Sequence, residues 1–379
     1  MPRMEKSDQI RMANPLPGSP DLPAGSRSLA YGAAFAPGSN SRGWIGSPKF
    51  DLSLFILSPL AGLVVILPAL ASPAGLRVWL VATYLIAIPH YVSSFSFYLG
   101  DDNLAYYRTR RMAFFVAPFL IFFIVMGLRL TRIDAVVQAA LYSWNVYHVS
   151  MQSVGILSIY RRLNGGALSE GRFARLGILG INSTLAFLHI DRFPPIYDYL
   201  VKIHFPVRFL APTFLCVAIF GLAGYALSLR DRPKRLGGAE LYFLISSLVL
   251  FHPYLWVREL NIATYGMLMG HFLQYLGIVW LLNRRKYPNK QGSPHQKFLS
   301  SISGNTPRLV LVLVSIGFLF YVLRVSSDRI GSTVSYTIIW NSLSLIHFYL
   351  DGFLWAFRNP FVRDSVGPYL KPPSHLAAT

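Results

Sequence analysis

Apolar and polar positions alternate along this chain in long blocks. Apolar runs occupy roughly 52 to 72, 77 to 99, 112 to 128, 134 to 159, 174 to 189, 207 to 228, 239 to 257, 262 to 282, 309 to 325 and 333 to 357, separated by short polar or basic stretches. About 20 apolar residues in a helix cross a hydrocarbon core of about 30 Å, so the pattern predicts about ten membrane-spanning helices. The fifth run is the shortest and is followed by the pair Pro194-Pro195, which makes it the weakest candidate for a full crossing. The fold class expected is an all-α polytopic membrane protein with both termini cytoplasmic.

The basic residues test that topology. With the N-terminus inside, the outer segments hold only Arg77, Arg129, Arg132, Arg192, Lys202, Arg208, Arg258, Arg324 and Arg329, and the rest of the 35 Lys and Arg fall on the inner side. This asymmetry follows the positive-inside rule and places the chain in a bacterial-type inner (plasma) membrane. An odd number of spans would break the alternation. Residues 1–48 lack an apolar core of signal-peptide type and are rich in Pro, Gly and Ser, so they read as a disordered cytoplasmic tail with an interfacial stretch near Trp44. The helical domain is expected over 49–360 and a second cytoplasmic tail over 361–379. The outer segment from Asp191 to Pro206, with its aromatics and prolines, reads as an interfacial cap.

Composition agrees with a membrane partner. Hydrophobic residues make up 53% of the 379 residues and charged residues 13%, while mean hydropathy is +0.44, too apolar for a soluble domain of this size. The net charge of +19 is dispersed in short clusters between apolar runs, which argues against nucleic acid. The single cysteine, Cys216, excludes thiolate zinc sites, four-cysteine iron–sulfur clusters and intrachain disulfides. There is no P-loop, GxGxxG, GxSxG or HExxH, and no two histidines lie within five residues of each other, which removes the paired-histidine boxes of membrane desaturases.

Four histidines stand out against this background. His90, His148, His271 and His347 each lie mid-run, 11 to 13 residues before the charged cluster that ends the run. At 1.5 Å per residue they share a depth of roughly 16 to 20 Å, near the midplane. They belong to the second, fourth, eighth and tenth runs, which in the expected topology all point the same way. A polar residue follows each by one helical turn: Ser94, Gln152, Gln274 with Tyr275, and Asp351. Polar stripes have no partner in lipid, so the four should converge in the bundle interior. Gly266 and Gly270 allow close helix approach beside His271, and Pro89 is expected to kink the helix before His90.

Neutral imidazoles suit Fe, Zn, Cu or Ni, so a metal centre is the leading reading, with His90, His148, His271 and His347 as ligands. Asp351 would ligate or orient a ligand, and Gln152, Gln274 and Tyr275 would tune the site. A single intramembrane histidine is more often a hydrogen-bond partner between helices, and it is the shared depth of four that favours metal. Two rivals remain open: a transporter or channel using His and Asp351 as an ion or proton path, and a b-type haem electron carrier. His189, His204 and His252, near Asp191 and Asp198 at the outer end, read as solvated or capping residues rather than a second site.

The segments IPHYVSSF, WNVYHVSMQSVGILSIYRR, MGHFLQYLGIVW and WNSLSLIHFYLDGFLW loosely resemble the Brp/Blh family of bacterial membrane β-carotene 15,15'-dioxygenases in histidine number, depth and helical setting. The compact Gly, His and Asp cluster of that family has no counterpart, and this chain has more spans. The resemblance implies a helical bundle with Fe(II) held by the four histidines; a site at midplane depth is reached laterally from the acyl region, so oxygenation of an apolar lipid or isoprenoid is the expected chemistry.

Overall fold

The computed structural model describes residues 43–98, 101–131, 133–166, 170–230, 236–288, 293–329, 331 and 333–370, all within one compact unit. Among them every regular element is helical, and each of the ten apolar runs becomes helix. Six of these helices are long and apolar enough to cross a membrane: Pro73–Tyr98, Met112–Leu130, Val207–Ser228, Gly238–Trp256, Leu260–Lys286 and Thr306–Arg329. A seventh results if Pro48–Ile56 and Ser58–Ala71, bent by 49°, form one span.

Length and composition thus support six or seven spans rather than ten. The three helices left out are Asp134–Leu163, Glu170–Phe187 and Thr333–Leu354. Two of them carry His148 and His347 with their polar neighbours, and a helix that points a polar stripe at other helices has a lower average apolarity than one facing lipid.

Burial separates core from periphery. In Leu260–Lys286, the helix of His271, 78% of the apolar window is buried, against 6% in Thr306–Arg329 and 11% in Met112–Leu130. The His271 helix is therefore the central post. Its closest neighbour is Ser58–Ala71: a Cβ added to Gly62 would lie 2.2 Å from the Gly266 carbonyl oxygen, and one added to Gly266 would lie 2.1 Å from Ile66 Cδ1. Glycine is required there because two backbones touch. The helices Glu170–Phe187 and Leu210–Ser228 use the same device, with Gly221 set against the backbone of Gly177.

Both chain ends depart from the expected tails where they are described. Residues 1–42 and 371–379 lie outside the described residues. From Gly43 onward the chain is packed: Ile45 is fully buried, and the amides of Ile45 and Gly46 donate to the buried Asp51 carboxylate at 2.7 and 2.8 Å. Tyr160 donates to the same carboxylate at 2.8 Å, and Arg285 donates to the Ile45 carbonyl at 2.6 Å. Trp44 packs against this core rather than standing free. At the other end Pro360–Val366 is a helix that buries Val362 and Val366. The expected cap forms the short helix Pro194–Lys202, where Phe193 stacks on Tyr142 with centroids 5.0 Å apart.

The His90 helix runs unbroken through Pro89 from Pro73 to Ser93 and then tightens into a 3-10 turn over Ser94–Tyr98. The expected irregularity lies one turn later than the proline, at the residue that meets His347.

Candidate metal centre

The four histidines come from Pro73–Ser93, Asp134–Leu163, Leu260–Lys286 and Thr333–Leu354, and they meet. One ligand atom from each ring lies within 4.8 Å of the other three, and all four residues are buried. Ring centroids are separated by 4.7 Å for His90 and His271, 4.4 Å for His90 and His347, and 5.0 Å from His148 to both His271 and His347. Two ligands on opposite sides of one metal stand about 4.2 Å apart, given metal–nitrogen bonds of about 2.1 Å. The cluster is therefore of metal-site size.

Ordinary buried histidines spend their nitrogens on hydrogen bonds. Here both nitrogens of His90 and of His271, and Nε2 of His148 and His347, are buried without a hydrogen-bond partner. Each unsatisfied group costs about 1 to 3 kcal/mol. A metal ion held among the four rings would take up one lone pair from each. Among the described residues this is the one group of three or more such side chains close enough to hold a metal, so the outer histidines and aspartates form no second cluster there.

The residues one turn beyond the histidines form a hydrogen-bonded layer. Ser94 Oγ lies 2.8 Å from His347 Nδ1 and 2.8 Å from Tyr275 OH. Tyr275 donates to Asp351 Oδ1 at 2.7 Å, and Trp355 Nε1 donates to Tyr275 at 3.4 Å. With His347 Nδ1–H donating to Ser94, the Nε2 lone pair is left for a ligand role, and Ser94 in turn donates to Tyr275 or Asp351. The other carboxylate oxygen, Asp351 Oδ2, stands 3.6 Å from His347 Nε2 and 3.9 Å from His148 Nε2. Those separations suit two neighbouring ligands of one ion, so Asp351 sits at the edge of the cluster with one oxygen anchored and one free.

Gln152 and Gln274 act on helices rather than on rings. Gln152 Nε2 donates to the His271 carbonyl at 3.0 Å and to Gln274 Oε1 at 3.4 Å. Gln274 Nε2 donates to Ser58 Oγ at 2.8 Å and to the Phe55 carbonyl at 3.2 Å. The pair ties the His148 and His271 helices to each other and to the first apolar helix.

On the opposite side of the histidines is a cavity of about 320 Å³. Asn145, Leu268 and Ser344 line it, each three residues before a histidine. Cavity, histidines and hydrogen-bonded network are thus successive layers, and the shared order on several helices shows that they point the same way. Asn145 shares the polar stripe of His148 and Gln152 in the sequence, whereas Leu268, Ser344 and Trp355, four residues after Asp351, do not stand out there. One helical turn back from His271 and His347 reaches Leu268 and Ser344, and two turns forward from His347 reach Trp355.

The chain matches no protein-family model, no curated protein and no solved structure, so its site is read from geometry.

One consequence concerns the network. Replacing Tyr275 by Phe removes the 2.7 Å donor to Asp351 without changing ring volume. Loss of a group that orients a metal ligand costs about 10- to 100-fold in affinity. Titration of purified Tyr275→Phe with Fe(II) or Zn(II) should show that loss, and unchanged affinity would show that Tyr275 only packs.

Proposed function

We propose that this chain is a membrane-embedded, non-haem Fe(II) oxygenase acting on an apolar lipid or isoprenoid, with His90, His148, His271 and His347 as ligands. The observation that carries the reading is the convergence of four buried imidazoles whose inward nitrogens have no protein partner. Iron is favoured over Zn or Cu because neutral imidazoles beside one carboxylate, with positions left open, suit non-haem Fe(II). When bound, such iron supplies dioxygen activation. The protein's own share is to fix ring orientation through Ser94 and Tyr275, to hold a carboxylate at the cluster edge through Asp351, and to exclude water with aromatic side chains. Oxidative cleavage of a carbon–carbon double bond, with both atoms of dioxygen ending as carbonyl oxygens, balances without an electron donor.

The rival readings fit less well. A proton or ion path strings its groups along a line, whereas these nitrogens lie within 4.8 Å of one another. A porphyrin between two of the rings would overlap the other two, since each ring centroid lies within 5.0 Å of two others. The reading counts as spans the three helices that fall short by composition, Asp134–Leu163, Glu170–Phe187 and Thr333–Leu354, and so reaches ten with cytoplasmic termini in an inner (plasma) membrane, a topology supported by the asymmetry of Lys and Arg. The Brp/Blh resemblance agrees with a metal in a bundle and adds nothing to the choice of substrate.

The test is dioxygen uptake. Protein in lipid nanodiscs, loaded with Fe(II) and given polyisoprenoid alcohols and hydrocarbons of 10 to 40 carbons, should consume dioxygen with carbonyl products. His347→Ala should reduce the rate at least about 100-fold, as expected when a metal ligand is lost. No uptake with any member of the series by iron-loaded protein would refute the assignment.

A further inference from the structure

The cavity beside the histidines is built for something more specific than an apolar chain. Its floor lies against the cluster: Tyr91 follows His90, and Phe348 follows His347 with its ring 4.5 Å from that of His148. Its wall is aromatic. Trp340 packs against Tyr84, Tyr91 and Tyr265 with centroids 5.1, 5.9 and 6.2 Å apart, and Tyr142 with Phe193 faces it from the other elements. Flat faces of this kind suit a planar ring.

The remaining lining is polar but not ionic. Amides and hydroxyls recur from Asn261 at the exposed end to Asn145 and Ser344 at the floor. Among the described lining residues the one ionised side chain is Arg324, whose guanidinium already pairs with Asp328. Neither an anion nor a cation would find an uncompensated charge. Asn145 Oδ1 is different: it is buried, accepts no hydrogen bond, and lies on the His148 helix one turn from that ligand. An unpaired acceptor of this kind calls for a donor from the occupant. Size sets the last limit. At about 30 Å³ per water-sized group, 320 Å³ holds about ten non-hydrogen atoms.

We infer that the cavity binds a neutral, planar, hydroxyl-bearing ring of about ten non-hydrogen atoms, of the phenol class, with its hydroxyl donating to Asn145 Oδ1. This deepens the proposed function, since it rests on taking the histidine cluster as the reacting centre and names the part of the substrate presented to it. A longer apolar tail would leave through the open end.

The test uses a matched set of probes: 2-naphthol, naphthalene and 2-naphthoate. Their binding is followed by naphthyl fluorescence on full-length protein in nanodiscs, treated with chelator, so that the result does not depend on iron. Saturable binding of one 2-naphthol per chain is expected, at least tenfold tighter than either naphthalene or 2-naphthoate. Asn145→Leu should erase the preference for naphthol over naphthalene and leave naphthalene within threefold of its original affinity. Leu141→Trp, which narrows the cavity without removing a hydrogen bond, should weaken all saturable binding at least tenfold.

Naphthoate binding best, naphthol binding no better than naphthalene, or no saturable binding would each overturn the inference on the unmodified protein alone, even if a variant failed to fold. Metal content is measured on the same preparations without chelator. Naphthol binding that depends on Asn145 in a protein that never takes up metal would keep the cavity assignment and defeat the oxygenase. Metal uptake without probe binding would do the reverse.

Discussion

A His271→Ala variant should lose metal affinity by more than about 100-fold, beyond the upper end of what removing an outer-shell partner costs, while its metal-free form folds almost as stably as the parent. Two opposing terms produce the second half of this result. Deleting a fully buried ring opens a cavity, and large-to-small changes in a core cost about 2 to 5 kcal/mol. The deleted ring also takes away two buried nitrogens that have no partner, each a penalty of about 1 to 3 kcal/mol in the metal-free protein. The terms nearly cancel, leaving a net change below about 2 kcal/mol. Thermal unfolding of metal-free samples reads it directly.

Metal reverses the comparison. A ligand at 100 times its dissociation constant stabilises the folded state by about 2.7 kcal/mol, so adding metal should raise the Tm of the parent and leave that of His271→Ala unmoved. A histidine serving only as a structural hydrogen-bond partner would give the opposite pattern: a large loss of stability without metal and no response to it in either protein.

Gly62→Val should be as damaging as loss of a ligand, although Gly62 touches no histidine. A Cβ there would stand 2.2 Å from a backbone oxygen of the His271 helix, and backbone cannot swing aside as a side chain does. The two helices must separate. Overpacking of this kind costs about 1 to 3 kcal/mol and occasionally more. Because the contacted residue, Gly266, lies five residues before His271, the displacement carries a ligand away from the other three. A fall in Tm accompanied by loss of metal is therefore expected. Gly155→Ala is the matched control. Nothing lies within 4 Å of an added Cβ at Gly155, so the helix should gain about 0.5 to 1 kcal/mol and keep its metal. Equal behaviour of the two variants would show that helix approach at Gly62 does not position the site.

What was legible beforehand was whatever periodicity controls. Helix positions followed from apolar runs, and the meeting of the four histidines followed from their common depth and from the cost of facing polar stripes to lipid. The role of Asp351 was visible only as a residue one turn from His347. Its pairing with Tyr275 and Ser94 depends on three helices arriving at one level, which no single helix encodes. Gln152 and Gln274 were legible as sharing a face with histidines, but the particular bonds of their amides, to the His271 and Phe55 carbonyls and to Ser58, were not. Spacing gives a face but not the reach of a long side chain. The packed segment after Gly43 was hidden for a similar reason: its order comes from Asp51, Tyr160 and Arg285, which are far apart in the chain.

X-ray absorption at the metal edge of purified, metal-loaded protein tests the central claim most directly. The account predicts one ion per chain with a shell of four imidazole nitrogens at about 2.1 Å, the usual metal–nitrogen length, and a shell reduced by one in His271→Ala. A metal bound by two or fewer imidazoles, or a spectrum unaltered in His271→Ala, would contradict it.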